Sequence, residues 1–211
     1  MLILFDQFSD RIRCQFLTRS DDRTSAENSV RLHQVHGNKT IVTRKKMDAT
    51  EEADGVLTDT PQLDLIVRAA DCQNFAIFVP EKNIIGVLHS GWKGLLAGAI
   101  PEFFRVLEHE FQTTMSDVFV TAGPSLCPAC AEFSDPVLEL PGVDQKFFND
   151  RLVDLQGVAD QQLFDCGILP EHFERHPDCT LCKNDVYLSY RGTDKQDVKA
   201  GLSNFLVCSL L

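Results

Sequence analysis

His36, Cys72 and His89 are the residues of this chain whose types suit chemistry at one centre. Each lies at the edge of an apolar run of strand length: His36 precedes one, Cys72 sits between two, and His89 ends one. Strand ends converge on clefts in α/β sheets. A thiolate and two imidazoles gathered in such a cleft could do either of two things. They could bind zinc with one coordination position open, where a bound water has its pKa lowered to about 7. Alternatively, Cys72 could act as a nucleophile with His89 as its base. Asp71, beside the cysteine, could cap a turn, anchor the site or carry a proton there.

A second set of thiols has its own spacing. Cys127-Pro-Ala-Cys130 and Cys179-Thr-Leu-Cys182 are two Cys-x-x-Cys pairs, a pattern that suits a structural zinc ion held by four thiolates. The pairs are farther apart than in a compact zinc ribbon, and reduced, unliganded thiols are the alternative. Cys14, Cys166 and Cys208 lie in apolar contexts and read as small buried hydrophobes.

The elements that must position these groups follow from periodicity. Met1 to Phe5 and Ile12 to Thr18 read as short strands, and 21–29 as a polar loop. A strand is expected near Lys39 to Arg44. Asp54-Gly55 is a turn signal. Leu63 to Arg68, Phe75 to Val79 and Ile84 to Leu88 are apolar runs with little polar alternation, as in strands covered on both faces. After Gly91 to Gly94, apolar residues recur at helical spacing as far as Phe111. Gly98 and Pro101 predict a kink there, or a fresh start with Pro101 in a first turn. Asp117 to Ala122 and Val186 to Tyr190 are predicted strands. Asp144 to Cys166 is predicted to be mostly helical, and Pro170 to start a short helix. Lys195 to Leu211 is ambiguous: Val198, Leu202, Phe205 and Leu206 fit a helix, whereas Val207 and Cys208 fit a strand. The alternation predicts an α/β or α+β fold with a mixed sheet.

Composition bounds the partners. The 211 residues are 44% hydrophobic and 24% charged, with a formal net charge of -11. That balance argues against a sequence-independent nucleic-acid or anionic-membrane surface. No apolar run approaches the ~20 residues needed to span a bilayer. The N-terminus, MLILFDQFSD, lacks the basic region and cleavage site of a signal peptide. A cytoplasmic protein with reduced thiols is expected.

Several motifs together resemble one family. His-Gln-Val-His-Gly at 33 to 37, Ala-Asp-Gly-Val-Leu-Thr-Asp at 53 to 59, Ala-Asp-Cys at 70 to 72 and His-Ser-Gly-Trp-Lys-Gly at 89 to 94 are similar to those of the YfiH family. This is also called the laccase-domain or peptidoglycan-editing-factor family, and it includes purine nucleoside phosphorylases. Gly123-Pro124-Ser125-Leu126, with Cys130 and Glu132, resembles a later family segment. Cys179 to Cys182 followed by Leu188-Ser189-Tyr190-Arg191 resembles its C-terminal one. The likeness runs from about residue 31 to 192.

The resemblance implies one YfiH-like domain over 1–211, a layered sandwich with mixed β-sheets. It implies that His36, Cys72 and His89 are metal ligands and catalytic residues, with zinc as the metal and copper as the alternative. It implies phosphorolysis of adenosine, inosine and methylthioadenosine, with phosphate as co-substrate and adenosine deamination as a further activity. Phosphate needs cations to hold it, and Arg68, Lys93, Arg191 and Arg19 are the candidates. Lys93 stands where the family has arginine, which keeps the charge but loses the bidentate fork. Against this zinc enzyme stand a Cys-His hydrolase or polyphenol oxidase-like protein acting in peptidoglycan editing, and a metal-binding protein with no turnover.

Overall fold

The computed structural model describes residues 1–22 and 27–211, so part of the loop expected over 21–29 lies outside the described residues. The chain opens with β1 (Leu2–Ile3), β2 (Ile12–Leu17), β3 (Ser29–Arg31) and β4 (Thr40–Val42). It continues with β5 (Gly55–Thr58), β6 (Asp64–Ala69), β7 (Gln73–Val79) and β8 (Ile84–Ser90). The helices α1 (Trp92–Leu96) and α2 (Ala99–Phe111) then lead to β9 (Phe119–Ala122) and the one-turn α3 (Pro136–Glu139). The hairpin of β10 (Phe148–Asn149) and β11 (Leu152–Val153) precedes α4 (Leu155–Asp165). The last elements are β12 (Phe173–Arg175), α5 (Lys195–Lys199) and β13 (Asn204–Leu210).

Two mixed sheets carry the fold. One has the order β1-β2-β13-β6-β3, the other β12-β9-β7-β8-β5-β4. Parallel pairs join β3 to β6, β4 to β5 and β12 to β9, and the remaining neighbours are antiparallel. The expected layered α+β sandwich is what forms.

The central strands explain the layering. All seven residues of β7 and all seven of β8 are buried, because both faces of this hairpin are covered. Side chains of a strand alternate between faces. Ala76, Phe78, Ile85 and Val87 pack into the core between the sheets, with Phe16, Leu65, Val67 and Leu206. Phe75, Ile77, Ile84 and Leu88 face the other way, against Ile100, Phe103, Phe104 and Leu107 of α2 and Val158 and Leu163 of α4. Gly86 permits the close seat of α2: a Cβ there would lie 2.5 Å from Leu57 Cδ2 and 2.8 Å from Phe103 Cζ. The interruption predicted before α2 is present. Gly98 adopts φ +74 between α1 and α2, and Pro101 falls in the first turn of α2.

Several expectations are corrected. Asp54-Gly55 is not a turn: Gly55 begins β5, and both residues are buried. Asp144 to Cys166 is not continuously helical: a 3-10 turn at Gln145–Phe147 comes first, Asp150, at φ +55, then turns the β10–β11 hairpin, and the α-helix begins only at Leu155. The Asp154 carboxylate caps α4 by accepting the Gly157 N–H at 2.7 Å. Val186 to Tyr190 is not a strand. Its backbone donors find side chains instead: Leu188 N–H donates to Asn204 Oδ1 (2.9 Å) and Ser189 N–H to Asp194 Oδ2 (3.1 Å). A buried backbone donor needs a partner, which need not be another strand. The turn at Pro170 to His172 is a single 3-10 turn leading into β12, an edge strand that periodicity did not signal. Cys14 and Cys208 are buried opposite one another in the β2–β13 register, as expected of small hydrophobes, while Cys166 is half-buried. Among the described residues no helix is long and apolar enough to cross a membrane.

Candidate metal centre and its cavity

The end of β8 delivers His89, which is only 3% exposed. Cys72 sits in the tight connection between β6 and β7, directly after Asp71 at φ +87. His36 comes from the loop between β3 and β4, itself in the left-handed region at φ +59, where non-glycine residues are uncommon. The ligand atoms of His36, Cys72 and His89 all lie within 4.8 Å of one another. The two imidazoles meet edge to face with centroids 4.8 Å apart. The three sequence-predicted residues are thus brought together.

One buried carboxylate positions both histidines, and the sequence reading missed it. Asp54 is fully buried. Its Oδ1 accepts from His89 Nδ1 at 2.8 Å and from the His36 N–H at 3.1 Å. Its Oδ2 accepts the Gly37 N–H at 2.7 Å and the Val35 N–H at 3.3 Å. These amide bonds hold the left-handed turn at His36. Burial alone would raise the Asp54 pKa, but the His89 bond and charge and the Gly37 and His36 amides outweigh it and hold the carboxyl below its ordinary value. Ionised Asp54 can only accept, so the His89 proton sits on Nδ1 and Nε2 is left as a donor atom.

The trio perturbs its own titration. Burial pushes the Cys72 thiol up, yet the His89 charge and hydrogen bonds from His36 and His89 bring it down to about 6. Burial opposes charge on His89, but the Cys72 thiolate and the Asp54 carboxylate raise it to about 9. Without a metal, Cys72 and His89 form a thiolate–imidazolium pair.

Gly91 completes the enclosure. A Cβ there would lie 2.8 Å from His36 Cδ2 and 3.1 Å from Cys72 Sγ. Asn74, opposite His89 in the β7–β8 register, donates to the carbonyls of Pro124 (2.9 Å) and Cys72 (3.3 Å), fixing the cysteine's backbone.

The trio lies in the wall of a cavity of about 910 Å³. Arg68, Lys93 and Arg191, the predicted cations, line it, and Lys195 and Lys199 of α5 join them. The last two were not anticipated, because their distance in sequence hides their approach. Arg191 donates to the Glu132 carbonyl and lies 5.3 Å from the Phe133 ring. Arg19 is elsewhere, with its guanidinium on the Asn184 and Tyr187 carbonyls and on Asp194. Asp71 lines the cavity, but both its oxygens are engaged. Oδ1 accepts the Thr180 hydroxyl and Oδ2 the Arg191 N–H, each at 2.7 Å. It ties the C-terminal wall to the β6–β7 connection, and the carboxylate on the histidine is Asp54.

The donor set fits a metal ion. One thiolate and two imidazoles, with a carboxylate on the far nitrogen of one ring, are the ligands and support of a three-coordinate protein site facing open space. The four paired cysteines also converge: the sulfur atoms of Cys127, Cys130, Cys179 and Cys182 all lie within 4.8 Å of one another.

The chain is similar to several known proteins. The profile of a family described as multi-copper polyphenol oxidoreductase laccase matches residues 14–203. The human protein named purine nucleoside phosphorylase LACC1 is 28% identical over 177 residues, covering 79% of this chain and 40% of its own length. Purine nucleoside phosphorylase YlmD of Geobacillus stearothermophilus is 25% identical over 153 residues, 68% of this chain and 56% of the relative. The chain thus spans about half the length of these relatives. The crystal structure of YlmD from Geobacillus stearothermophilus superposes with a TM-score of 0.76 at 21% identity, covering 87% of this chain and 74% of that one. A Bacillus licheniformis hypothetical protein YfiH superposes at 0.75 with 22% identity, covering 90% and 76%. At those identities the structures show a shared fold.

Proposed function

Because the chain belongs to the multi-copper polyphenol oxidoreductase laccase family, we propose that it is a zinc-dependent purine nucleoside phosphorylase with His36, Cys72 and His89 as the metal ligands. The observation that carries this reading is the placement of the trio in the wall of a cation-lined cavity. The names of the relatives supply the reaction class. The substrates are adenosine, inosine and methylthioadenosine, with inorganic phosphate as co-substrate.

Zinc is favoured by the donor set and by the open side. Zinc held by these residues would supply a Lewis acid. Asp54 keeps the proton of His89 on Nδ1, so Nε2 is the atom that would hold the ion.

In phosphorolysis a phosphate oxygen bonds to the ribose anomeric carbon as the bond to the purine nitrogen breaks, and the base leaves with a proton. The phosphate brings its negative charge into the site, and cations must hold it. Arg68, Lys93 and Arg191 take that role in a chain whose net charge is otherwise -11. Trp92 and Tyr190 also line the cavity and offer ring faces for a purine. Adenosine deamination is the accessory reaction: water adds to C6 of the purine ring and the amino group leaves as ammonia, giving inosine.

The test is release of free base from adenosine and inosine, with and without phosphate, before and after chelation. Phosphate-dependent adenine and hypoxanthine that vanish on chelation are expected. Full activity after metal removal, with Cys72 alkylation abolishing it, would overturn the zinc mechanism and favour Cys72 as a nucleophile with His89 as its base.

A further inference from the structure

Four thiols outside the trio form a second cluster. Cys130 Sγ lies 3.5 Å and Cys127 Sγ 4.0 Å from Cys182 Sγ. A tetrahedral zinc ion with Zn–S bonds of about 2.3 Å has sulfur–sulfur edges of about 3.8 Å. These separations bracket that edge, and they are far beyond the ~2.05 Å of a disulfide. Backbone geometry converges on the same centre. The Cys127 N–H and the Cys182 N–H both donate to Cys179 Sγ, at 3.3 and 3.5 Å. Amides aimed at a sulfur stabilise its thiolate. A backbone bridge between Ser125 and Cys179, with the Thr180 N–H on the Ser125 carbonyl at 3.2 Å, aligns the two segments that carry the pairs.

We propose that Cys127, Cys130, Cys179 and Cys182 hold a structural zinc ion, distinct from the metal of the trio. All four coordination positions are protein sulfur, so this ion has no open position for chemistry. Its work is to join two walls of the cavity. Leu126, Cys130 and Glu132 come from one segment, and Leu181, Tyr190 and Arg191 from the other. The Asp71 carboxylate ties the second segment to the β6–β7 connection, and the Arg191 side chain reaches the Glu132 carbonyl of the first. A four-thiolate site would hold them in register without a larger apolar core. The proposal stands whether or not the protein acts on nucleosides.

The test counts zinc and reads its ligands in the full chain, purified under reducing conditions. Wild type is expected to carry two zinc ions per chain, Cys72→Ala one, and Cys72→Ala with Cys182→Ser none. X-ray absorption of the Cys72→Ala protein should show four sulfur neighbours at about 2.3 Å. The trio is already dismantled in that variant, so failure of the nucleoside reading leaves this count unaffected. Zinc-free Cys72→Ala protein, or zinc there with nitrogen or oxygen neighbours, overturns the proposal.

Native alkylation of the wild type provides a readout that needs no variant. Cys182 is exposed and Cys127 and Cys130 are half-buried, yet all three should resist alkylation until a chelator is added. Immediate modification of Cys182 in zinc-replete protein, or a Cys130–Cys182 disulfide in protein kept reduced, also overturns it.

Discussion

Asp54 accepts the Nδ1 proton of His89 at 2.8 Å while its two oxygens also hold the amides of Val35, His36 and Gly37. A single buried carboxylate therefore sets the tautomer of one imidazole of the trio and the backbone of the other. Carboxylates in this position typically contribute 10–100-fold to metal affinity. Asp54→Asn keeps the size but must turn an NH₂ toward one of these donors. Zinc affinity, measured by competition with a chelator, is expected to fall by about 10–100-fold. The stranded donor should cost about 1–3 kcal/mol in urea denaturation. Unchanged zinc affinity would remove Asp54 from the site.

The metal-free protein should show the thiolate–imidazolium pair directly. Cys72 has its pKa lowered from 9.0 to about 6, and His89 has its pKa raised from 6.5 to about 9. The depressed thiol contributes stability that is complete above its unfolded value and lost as pH falls through about 6. The raised imidazole contributes stability that is complete below its unfolded value and lost as pH rises through about 9. The pair therefore stabilises the metal-free fold between about 6 and about 9. Alkylation of Cys72 in chelated protein should titrate with a midpoint near 6, and His89→Ala should move it upward. A midpoint at the ordinary thiol value in the wild type would mean that the two groups do not share charge.

Gly91→Ala separates packing at the site from packing of the fold. The added Cβ would press on His36 Cδ2 at 2.8 Å and Cys72 Sγ at 3.1 Å. Overpacking of this kind costs about 1–3 kcal/mol. His36 is exposed and can swing aside when no metal holds it. The cost should then appear as lost zinc affinity, with little change in the urea midpoint of the metal-free protein. A large fall in that midpoint with zinc affinity intact would place the strain elsewhere.

How much of this was legible in the sequence varies with the physical signal. The strands around the trio were readable because β7 and β8 are buried on both faces and their apolar runs are unbroken. His36, Cys72 and His89 were readable as types at strand ends, and the two Cys-x-x-Cys pairs by their spacing. Asp54 was not, because Asp-Gly is chemically a turn dipeptide. Here Gly55 is needed inside a strand, where a Cβ would lie 2.5 Å from Thr40 Oγ1 and 2.8 Å from Phe103 Cδ2. Tyr187 and Leu188 looked like strand because they are apolar and buried. Their segment is held by Asn204 and Asp194 side chains and by the Tyr187 hydroxyl on Asp178, which leave no periodic trace. Lys195 and Lys199 reach the cavity only because α5 is folded back beside it.

The cavity's cations give the last prediction, which separates phosphate from nucleoside binding. Arg68, Lys93 and Arg191 line the same space as the trio. A hydrogen bond to a charged group contributes about 1.5–3 kcal/mol, so removing one should raise the KM for phosphate roughly ten- to a hundredfold. Arg68→Ala and Lys93→Ala should do so while the KM for inosine changes little. Arg191 also packs on Phe133 and holds the Glu132 carbonyl, so Arg191→Lys is the cleaner variant, keeping the charge while losing the fork. Lys93→Arg should lower the phosphate KM, because a guanidinium can grip two phosphate oxygens where an ammonium is a point charge. Steady-state kinetics with phosphate and nucleoside varied in turn checks all four. If the inosine KM moves instead of the phosphate KM, these cations hold the nucleoside and the phosphate site lies nearer Lys195 and Lys199.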